Sequence, residues 1–537
     1  MKNNTEKVDH LLKLFERAKN LRMNWTTYWQ DIAKYVQPMK NNPYGYRAKG
    51  EKRGDELLDA TGIHSNELLA SALHSMLTNP SVPWFGITTG DESLDNNDEA
   101  RMWLSDSTRV MHNVLNNSNF QTEIHELYLD QGSFGTGAIF AEEDDTDVVR
   151  FQSRSIFELF ALENSKGVID HIFREFKFNY YQLCDKFGEA WMTEELKREM
   201  ESDKFEKEYT VVHVIMPRKE GKKWDLAKTA SDFEIGSYYI LQDKRILLEE
   251  GGFPEMPFAV PRWTKIAGEI YGRSPAMKAL PEIKMLNKMM EVTIKAAQLQ
   301  IAPPLAVPDD GFILPVKMQP FGITYYRSGS QDEIKPLFQN IRLDLSREMI
   351  EGTRGKIQQA FFIDQLQLRQ GPQMTATEVM QRTEEQLRLL GPILGRQHNE
   401  LLKPLIERVF AVCQRRKLFK PLPEILSKKK IDFIYSSQIA KVQRTAEISN
   451  INKVIASISP IVQAQPEVLD YFNGDEMVRY ASNAFMLPAN LIRKQSDVES
   501  LRQARQQAQQ QQAQEKQQMQ QAELVNKMSP AMGMLEE

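Results

Sequence analysis

Apolar residues near the N-terminus recur at intervals of three and four: Val8, Leu11, Leu12, Phe15, Ala18, Leu21, Trp25, Tyr28, Trp29, Ile32 and Tyr35. That spacing lays them along one stripe of a helix, which Pro38 stops. A polar loop through Asn41–Gly54 follows. Ile63, Leu68, Leu69, Ala72, Leu73, Met76 and Leu77 then mark a second helix, ended by Asn79-Pro80. Glu99–Leu115 and Gln121–Gln131 carry the same period. Past Gly132–Gly137 the period shortens. Ala138–Ala141, Val148–Phe151, Ile169–Phe176, Thr210–Met216, Glu234–Leu241, Arg245–Leu248 and Phe258–Trp263 are brief, β-branched or aromatic, and bounded by turn residues, so they predict strands. Phe178–Met200 adds a helix or two among them.

From Pro275 the helical period returns. Ala276, Leu280, Ile283, Met290, Ile294, Ala297 and Ile301 form an apolar stripe in which Asn287 is the one polar member. Lys284, Lys288, Glu291, Lys295 and Gln298 form a partly basic stripe on another flank. Pro303-Pro304 ends this helix. The next stretch, through Gln339, is crowded with Pro and Gly yet keeps Phe312, Ile313, Leu314, Phe321, Tyr325 and Tyr326, which makes it a small turn-rich module. A second helix over Asn340–Ile363 carries Arg347, Glu351, Arg354 and Gln358 on one face, and Gly352 and Gly355 where something can pack closely. Asp364–Gln373 is polar and interrupts the pattern. Thr375-Ala-Thr-Glu378 has capping-box spacing and opens a helix running to about Lys417, with kinks expected at Gly391-Pro392 and Pro404. Unbroken, it would span roughly 60 Å at ~1.5 Å per residue. Ile431–Tyr435 predicts a strand, and Val442–Ile458, Glu467–Phe472 and Asp475–Phe485 predict helices. Twelve of the nineteen residues from Gln503 to Gln521 are glutamine, so the tail is a solvated helix or disordered. The fold class is α+β, mainly helical.

Length sets the number of units: 537 residues exceed one compact core, and two to four are expected. With 41% hydrophobic and 26% charged residues the composition is that of a folded protein. Cys184 and Cys413 are too few for a disulfide framework. The N-terminus lacks the apolar core of a signal peptide, and no apolar run approaches the ~20 residues that span a bilayer, so no membrane role is expected. The net charge of −5, from 68 basic and 73 acidic residues, argues against a general DNA clamp, which would neutralise many phosphates. It leaves open a conduit, in which a tight grip would hinder movement.

Catalytic patterns are wanting. Gly132-Ser-Phe-Gly135-Thr-Gly137 precedes a strand and has no following Lys-Ser/Thr, so it reads as a tight helix-to-strand turn, not a phosphate loop. Gly352-Thr-Arg-Gly355-Lys356 has the wrong spacing, and Ile357 stands where a hydroxyl residue is required. His64 and His74, or His112 and His125, are not at a metal-ligand spacing. Glu142-Glu143-Asp144-Asp145 reads as a solvated turn, and no nucleophile elbow is present. No cofactor, metal or enzymatic activity is expected. The basic stripes have an ordinary reading as water-facing helix sides, and gain meaning only if the two helices line an opening.

Four stretches in order resemble the head-to-tail connector (portal) family of short-tailed bacteriophages: Leu69-Ala-Ser-Ala-Leu-His-Ser-Met-Leu-Thr-Asn-Pro-Ser-Val-Pro-Trp-Phe85; Tyr271-Gly-Arg-Ser-Pro275; Met374-Thr-Ala-Thr-Glu-Val379 with Arg382; and Leu390-Gly-Pro-Ile-Leu-Gly-Arg396 with Glu400-Leu-Leu-Lys-Pro-Leu405. The resemblance implies the portal fold, with wing, stem, clip and crown regions in a ring of twelve subunits at one capsid vertex. On that pattern 1–270 is the wing, helical then β-rich. Residues 271–302 and 340–363 are the stem helices, 303–339 the clip and 364–373 the tunnel loop. Residues 374–465 hold the long helix and returning wing, 466–500 the crown, and 501–537 the Gln-rich tail. Lys284, Lys288, Lys295, Arg347, Arg354, Gln358, Gln365, Gln367, Arg369 and Gln370 would line a channel for double-stranded DNA, touching it without regard to sequence. Leu280, Ile283, Met290 and Ile294 would pack the stem. The implied partners are further copies of the chain, a terminase motor, tail adaptor or tube proteins, and major capsid and scaffolding proteins. The place is the virion's portal vertex, reached from the host cytoplasm during assembly. A DNA-processing enzyme subunit and a pore-less assembly protein remain the alternatives.

Overall fold

The computed structural model describes residues 2–40, 52–95, 97–192, 207–219, 229–301, 305–306, 335–336, 343–366, 391–427, 431–435, 453–460, 471–484 and 495–532, together with isolated residues between these ranges. In chain order the elements used below are α1 (Lys2–Tyr35), α2 (Thr61–Leu77), β1 (Phe85–Thr88), α3 (Asp98–Asn117), α4 (Phe120–Phe134), β2 (Ile139–Asp144), β3 (Val148–Ser153), β4 (Leu159–Glu163), β5 (Ile169–Asn179), α5 (Tyr180–Phe187), β6 (Glu208–Pro217), β7 (Ile235–Leu241), β8 (Ile246–Phe253), β9 (Phe258–Ala259), α6 (Pro275–Ile301), β10 (Leu305–Ala306), β11 (Lys335–Pro336), α7 (Leu343–Ala360), α8 (Lys403–Arg415), β12 (Asp432–Tyr435), α9 (Gly474–Ala484) and α10 (Gln495–Met532). They divide into two compact units, Met1–Val82 with Asn113–Arg416, and Pro83–His112 with Lys417–Glu537.

The first unit is built on an antiparallel five-stranded sheet in the order β4-β5-β6-β7-β8. Strand alternation gives it two different faces. Against one face lies the apolar stripe of α1: Val8, Leu11, Phe15 and Ala18 pack on Phe160, Phe173, Val212, Val214, Tyr238 and Ile240. A buried Arg22 on the same helix donates to the carbonyls of Ile156, Phe157 and Leu159 at 2.6–3.0 Å and lies 3.6 Å from the Phe160 ring centroid. The opposite face carries two apolar clusters, one under α5 and one under a three-stranded sheet of order β3-β2-β9.

Sequence periodicity places most of these elements within a few residues. β4 escaped it because Leu159, Phe160 and Ala161 are all buried, so no alternation marks the strand. The strand expected over Phe258–Trp263 pairs only at Phe258–Ala259, since Pro257 and Pro261 cannot donate to a ladder. The helix expected to Ile363 stops at Ala360, where Phe362 takes φ 61°. A further helical turn, Ile363–Leu366, then occupies the start of the stretch expected as a loop. In the long helix, the described part from Gly391 is α-helical, widens to a π turn over His398–Leu402, and continues as α8. Pro404 lacks the N–H that Glu400 would receive, and the widened turn absorbs the mismatch. The polar loop from Asn41, most of 303–339, residues 367–373 and the capping box at Thr375–Glu378 lie outside the described residues.

Two glycine stretches from distant parts of the chain meet in the first unit. Gly135 ends α4 at φ 75°, and a Cβ there would collide with the Gly272 carbonyl; a Cβ on Gly272 would collide with that of Gly135. Gly272 N–H donates to Thr136 Oγ1 at 2.8 Å, Trp263 N–H to the Gly135 carbonyl at 2.8 Å, and Ser274 Oγ to the Ser133 carbonyl at 2.7 Å. The Gly132–Gly137 stretch is thus a backbone crossing, which sets where α6 begins.

In the second unit β1 pairs antiparallel with β12, more than 340 residues later in the chain. Phe85 stacks on His112 with centroids 4.1 Å apart, and Trp103 donates from its indole to the Lys420 carbonyl at 3.0 Å. Asp475 of α9 receives both terminal nitrogens of Arg502 on α10 at 2.6–2.7 Å. The Gln-rich tail is helical, and its described side chains are exposed.

Gly272→Ala should cost on the order of 3 kcal/mol or more, because backbone rather than a yielding side chain meets the methyl group. Gly352→Ala and Gly355→Ala, with nothing within 4 Å of the added carbon, should each stabilise the isolated chain by about 1 kcal/mol through helix propensity. Urea midpoints of the three variants check both signs.

Candidate functional site

The helix pair α6 and α7 packs side by side, and the antiparallel pair β10 and β11 falls between them in the sequence. Burial along both helices is uneven. On α6 the buried residues are Pro275, Ala276, Met277, Ala279, Leu280, Ile283, Leu286 and Asn287, and none follows. On α7 the described buried residues are Ile350, Thr353 and Ile357, toward the other end of that helix. The pair is therefore rooted at the Pro275 and Ala360 ends. The remaining fourteen residues of α6, 288–301, extend roughly 20 Å at ~1.5 Å per residue with no residue buried.

Its root is polar as well as apolar. Asn287, the one polar member of the α6 stripe, is 8% exposed; its Oδ1 accepts Leu58 N–H at 2.9 Å and its Nδ2 donates to the Ile283 carbonyl at 3.0 Å. Arg354 of α7 donates from Nε and Nη2 to Asp59 Oδ2 at 3.0 and 2.7 Å. Asp59 in turn accepts Thr61 N–H at the start of α2. Burial pushes this carboxyl up, but hydrogen bonds from Thr61 and Arg354 outweigh it and hold it below the usual range. Both helices are thus pinned to one short segment, Leu58–Thr61. Sequence reasoning missed Asp59; an acid two residues before a helix start was the available signal.

The basic stripe is less free than its spacing suggests. Lys284 pairs with Asp31 on α1 at 2.7 Å, and Lys288 and Lys295 both reach Glu291 at 2.8 and 2.5 Å. Hydrogen bonds from those two lysines hold the Glu291 carboxyl down to about 2. Arg354 is shared between Asp59 and Glu351. Arg347 and Gln358 are exposed, and Gln365 is half-buried in the turn after α7. Gln367, Arg369 and Gln370 lie outside the described residues. Of the packing residues, Leu280 and Ile283 are buried and Met290 is half-buried, whereas Ile294 is exposed together with Met285, Val292, Leu299, Ile301 and Met349. Among the described residues no cluster of His, Cys, Asp or Glu could hold a metal, and no helix is long and apolar enough to cross a membrane.

The model of the bacteriophage head to tail connecting protein family matches residues 8–492. The chain belongs to that family. It is 30% identical over 507 residues to the probable portal protein of Bordetella phage BPP-1, covering 92% of this chain and 90% of the relative. It is 30% identical over 519 residues to the portal protein of Salmonella phage epsilon15, covering 93% and 91%. The neck of an empty GTA particle, solved with C6 symmetry, aligns at 12% identity and TM-score 0.38 over 73% of this chain and 86% of that one.

In this connector-family chain, two of the stretches that carried the resemblance serve the architecture. Tyr271 is buried between Trp25 and Trp29, its hydroxyl accepting Ala161 N–H at 3.1 Å; Gly272 crosses Gly135; and Glu400 holds Arg262. Arg354→Gln should lose about 1–3 kcal/mol at neutral pH, because it strips the cation from a nearly buried carboxylate. The folded pKa of Asp59 is depressed, so the wild-type advantage is present at neutral pH and lost as pH falls through that value. Urea titrations of both proteins across acid pH check it; equal midpoints throughout would free Arg354 from the anchoring role.

Proposed function

We propose that this chain is a portal subunit whose copies close into a dodecameric ring at one capsid vertex. Double-stranded DNA enters through the ring during packaging and leaves through it at ejection. The observation that carries this reading is the helix pair rooted at one end only, whose outer part exposes Val292, Ile294, Leu299, Ile301 and Met349. Val292 and Leu299, seven residues apart, share one flank of α6, and Ile294 and Ile301 the opposite flank. Apolar side chains on two flanks are left for neighbouring chains to cover, and a ring of identical subunits covers both without leaving an open end.

On this reading 271–302 and 340–363 form the stem, 303–339 the clip, 364–373 the tunnel loop, 1–270 and 374–465 the wing with the long helix, and 466–500 the crown. The ring is passive: a separate terminase drives the DNA, tail adaptor proteins dock below, and capsid and scaffolding proteins surround the vertex. The chain itself performs no catalysis. Lys284, Lys288 and Lys295 already have carboxylate partners within the subunit, so their phosphate contacts are weak and readily exchanged, as passage requires. Assembly takes place in the host cytoplasm and ends in the virion.

Electron microscopy of the purified protein should show closed rings with a central hole; single copies or solid particles would overturn the reading. Val292→Asp should abolish rings while the subunit stays folded. Arg347→Glu, at an exposed position, should leave rings intact and lower the DNA content of filled heads, as read by particle density.

A further inference from the structure

The sheet face opposite α1 carries a polar band between its two apolar clusters. Register aligns Arg174 on β5 with His213 on β6, and His213 with Tyr239 on β7, so the three stand in one row. His213 is 4% exposed; its ring lies flat on Tyr239, with centroids 3.9 Å apart and planes 8° from parallel, and its Nε2 is 2.9 Å from Ser237 Oγ. Over one end of the row comes Lys186 of α5, its Nζ 3.4 Å from the Tyr239 hydroxyl and 4.5 Å from the ring centroid. Arg154, just after β3, is fixed by its backbone N–H to the Ala138 carbonyl at 2.9 Å, and its charge bears on Arg174, His213 and Tyr239.

Three cations thus converge on a floor of neutral groups. Arg174 gives its Nε to Glu158 at 3.0 Å, and Glu142 and Glu249 stand exposed at the margin. Among the described residues no group lies within hydrogen-bond or ion-pair distance of the half-buried Arg154 guanidinium. Burial, and then Arg174, pull Arg154 down to about 10, and burial also lowers Lys186. A guanidinium partly withdrawn from water and beside another cation is unfavourable unless an anion joins it. We propose that the band formed by Arg154, Arg174 and Lys186 over the His213–Tyr239 stack binds one compact oxyanion of the carboxylate or phosphate class. Two charge-assisted forks and an ammonium suit such a group. The surrounding carboxylates of Glu142, Glu158 and Glu249 repel an extended polyanion, so duplex DNA is not the ligand.

The oxyanion has two possible sources: a free small ion, or an acidic side chain of a second copy. The site itself does not rest on the ring reading; only the second source does. Isothermal titration with inorganic phosphate at constant ionic strength, on the full chain, is the test. The wild type should take up one phosphate per chain, Arg154→Gln should weaken this by about tenfold or more, and Arg150→Gln, at an exposed position on β3, should not. Lys186→Gln, on the exposed side of a short helix, repeats the measurement should Arg154→Gln fail to fold. Binding to assembled and dissociated chains alike assigns the site to a free ion. Binding to dissociated chains alone, with Arg154→Gln assemblies falling apart at lower salt, assigns it to a neighbour's carboxylate. Equal phosphate binding in wild type and folded variant, absence of binding in every form with assembly unchanged, or loss of duplex binding alone, would each overturn the proposal.

Discussion

One buried guanidinium holds the first unit in register. Arg262, 3% exposed, gives Nε and Nη2 to the two oxygens of Glu400 at 3.0 and 2.8 Å, pairs through Nη1 with Glu163, and donates to the carbonyls of Gly167 and Ile270. Its own backbone N–H also goes to Glu400. Three segments are joined in this way: the end of β4, the π turn of the long helix, and the run that leads into α6. A buried ion pair adds little net stability over apolar packing, but leaving one partner alone costs ~3–5 kcal/mol. Its effect is to exclude other arrangements. The neighbouring Trp263 bonds the Gly135 carbonyl, so the same short stretch fixes both the guanidinium and the glycine crossing.

From that fixed origin the helix pair follows. The crossing of Gly135 and Gly272 places Pro275, and apolar burial along α6 runs only as far as Asn287. Asn287 and Arg354 then bind the same segment ahead of α2, so the two helices share one root although their sequences are separated by the turn-rich module. Beyond the root, none of residues 288–301 of α6 is buried, while Lys284, Lys288, Lys295 and Arg354 have carboxylate partners. This combination favours association between copies over a grip on a passing polyanion, and it agrees with the overall charge of −5.

Much of the fold could be read from the chain. Helices α1, α2 and α6 announce themselves through the spacing of apolar residues, and β5, β6 and β7 through β-branched runs between turns. The family was legible too, in stretches such as Tyr271-Gly-Arg-Ser-Pro275, although what those residues do was not. The candidate site was half legible: the apolar stripe of α6 is buried at Ala276, Leu280 and Ile283 but exposed at Ile294 and Ile301, and spacing alone did not tell which lysines of the other stripe have partners.

Local patterns determined what depends on neighbours three or four positions apart along a helix, or two along a strand, because those distances are set by backbone geometry alone. The sequence by itself therefore yielded element type and the spacing of the amphipathic stripes. Only the tertiary structure decided that Lys284 faces Asp31, that Arg354 faces Asp59, that β1 meets β12, and that Arg154 stands beside Arg174 with no ion-pair partner among the described residues. Each of those outcomes joins residues 20 to about 350 positions apart. Such pairings depend on the path of the whole chain, and no short-range period encodes that path.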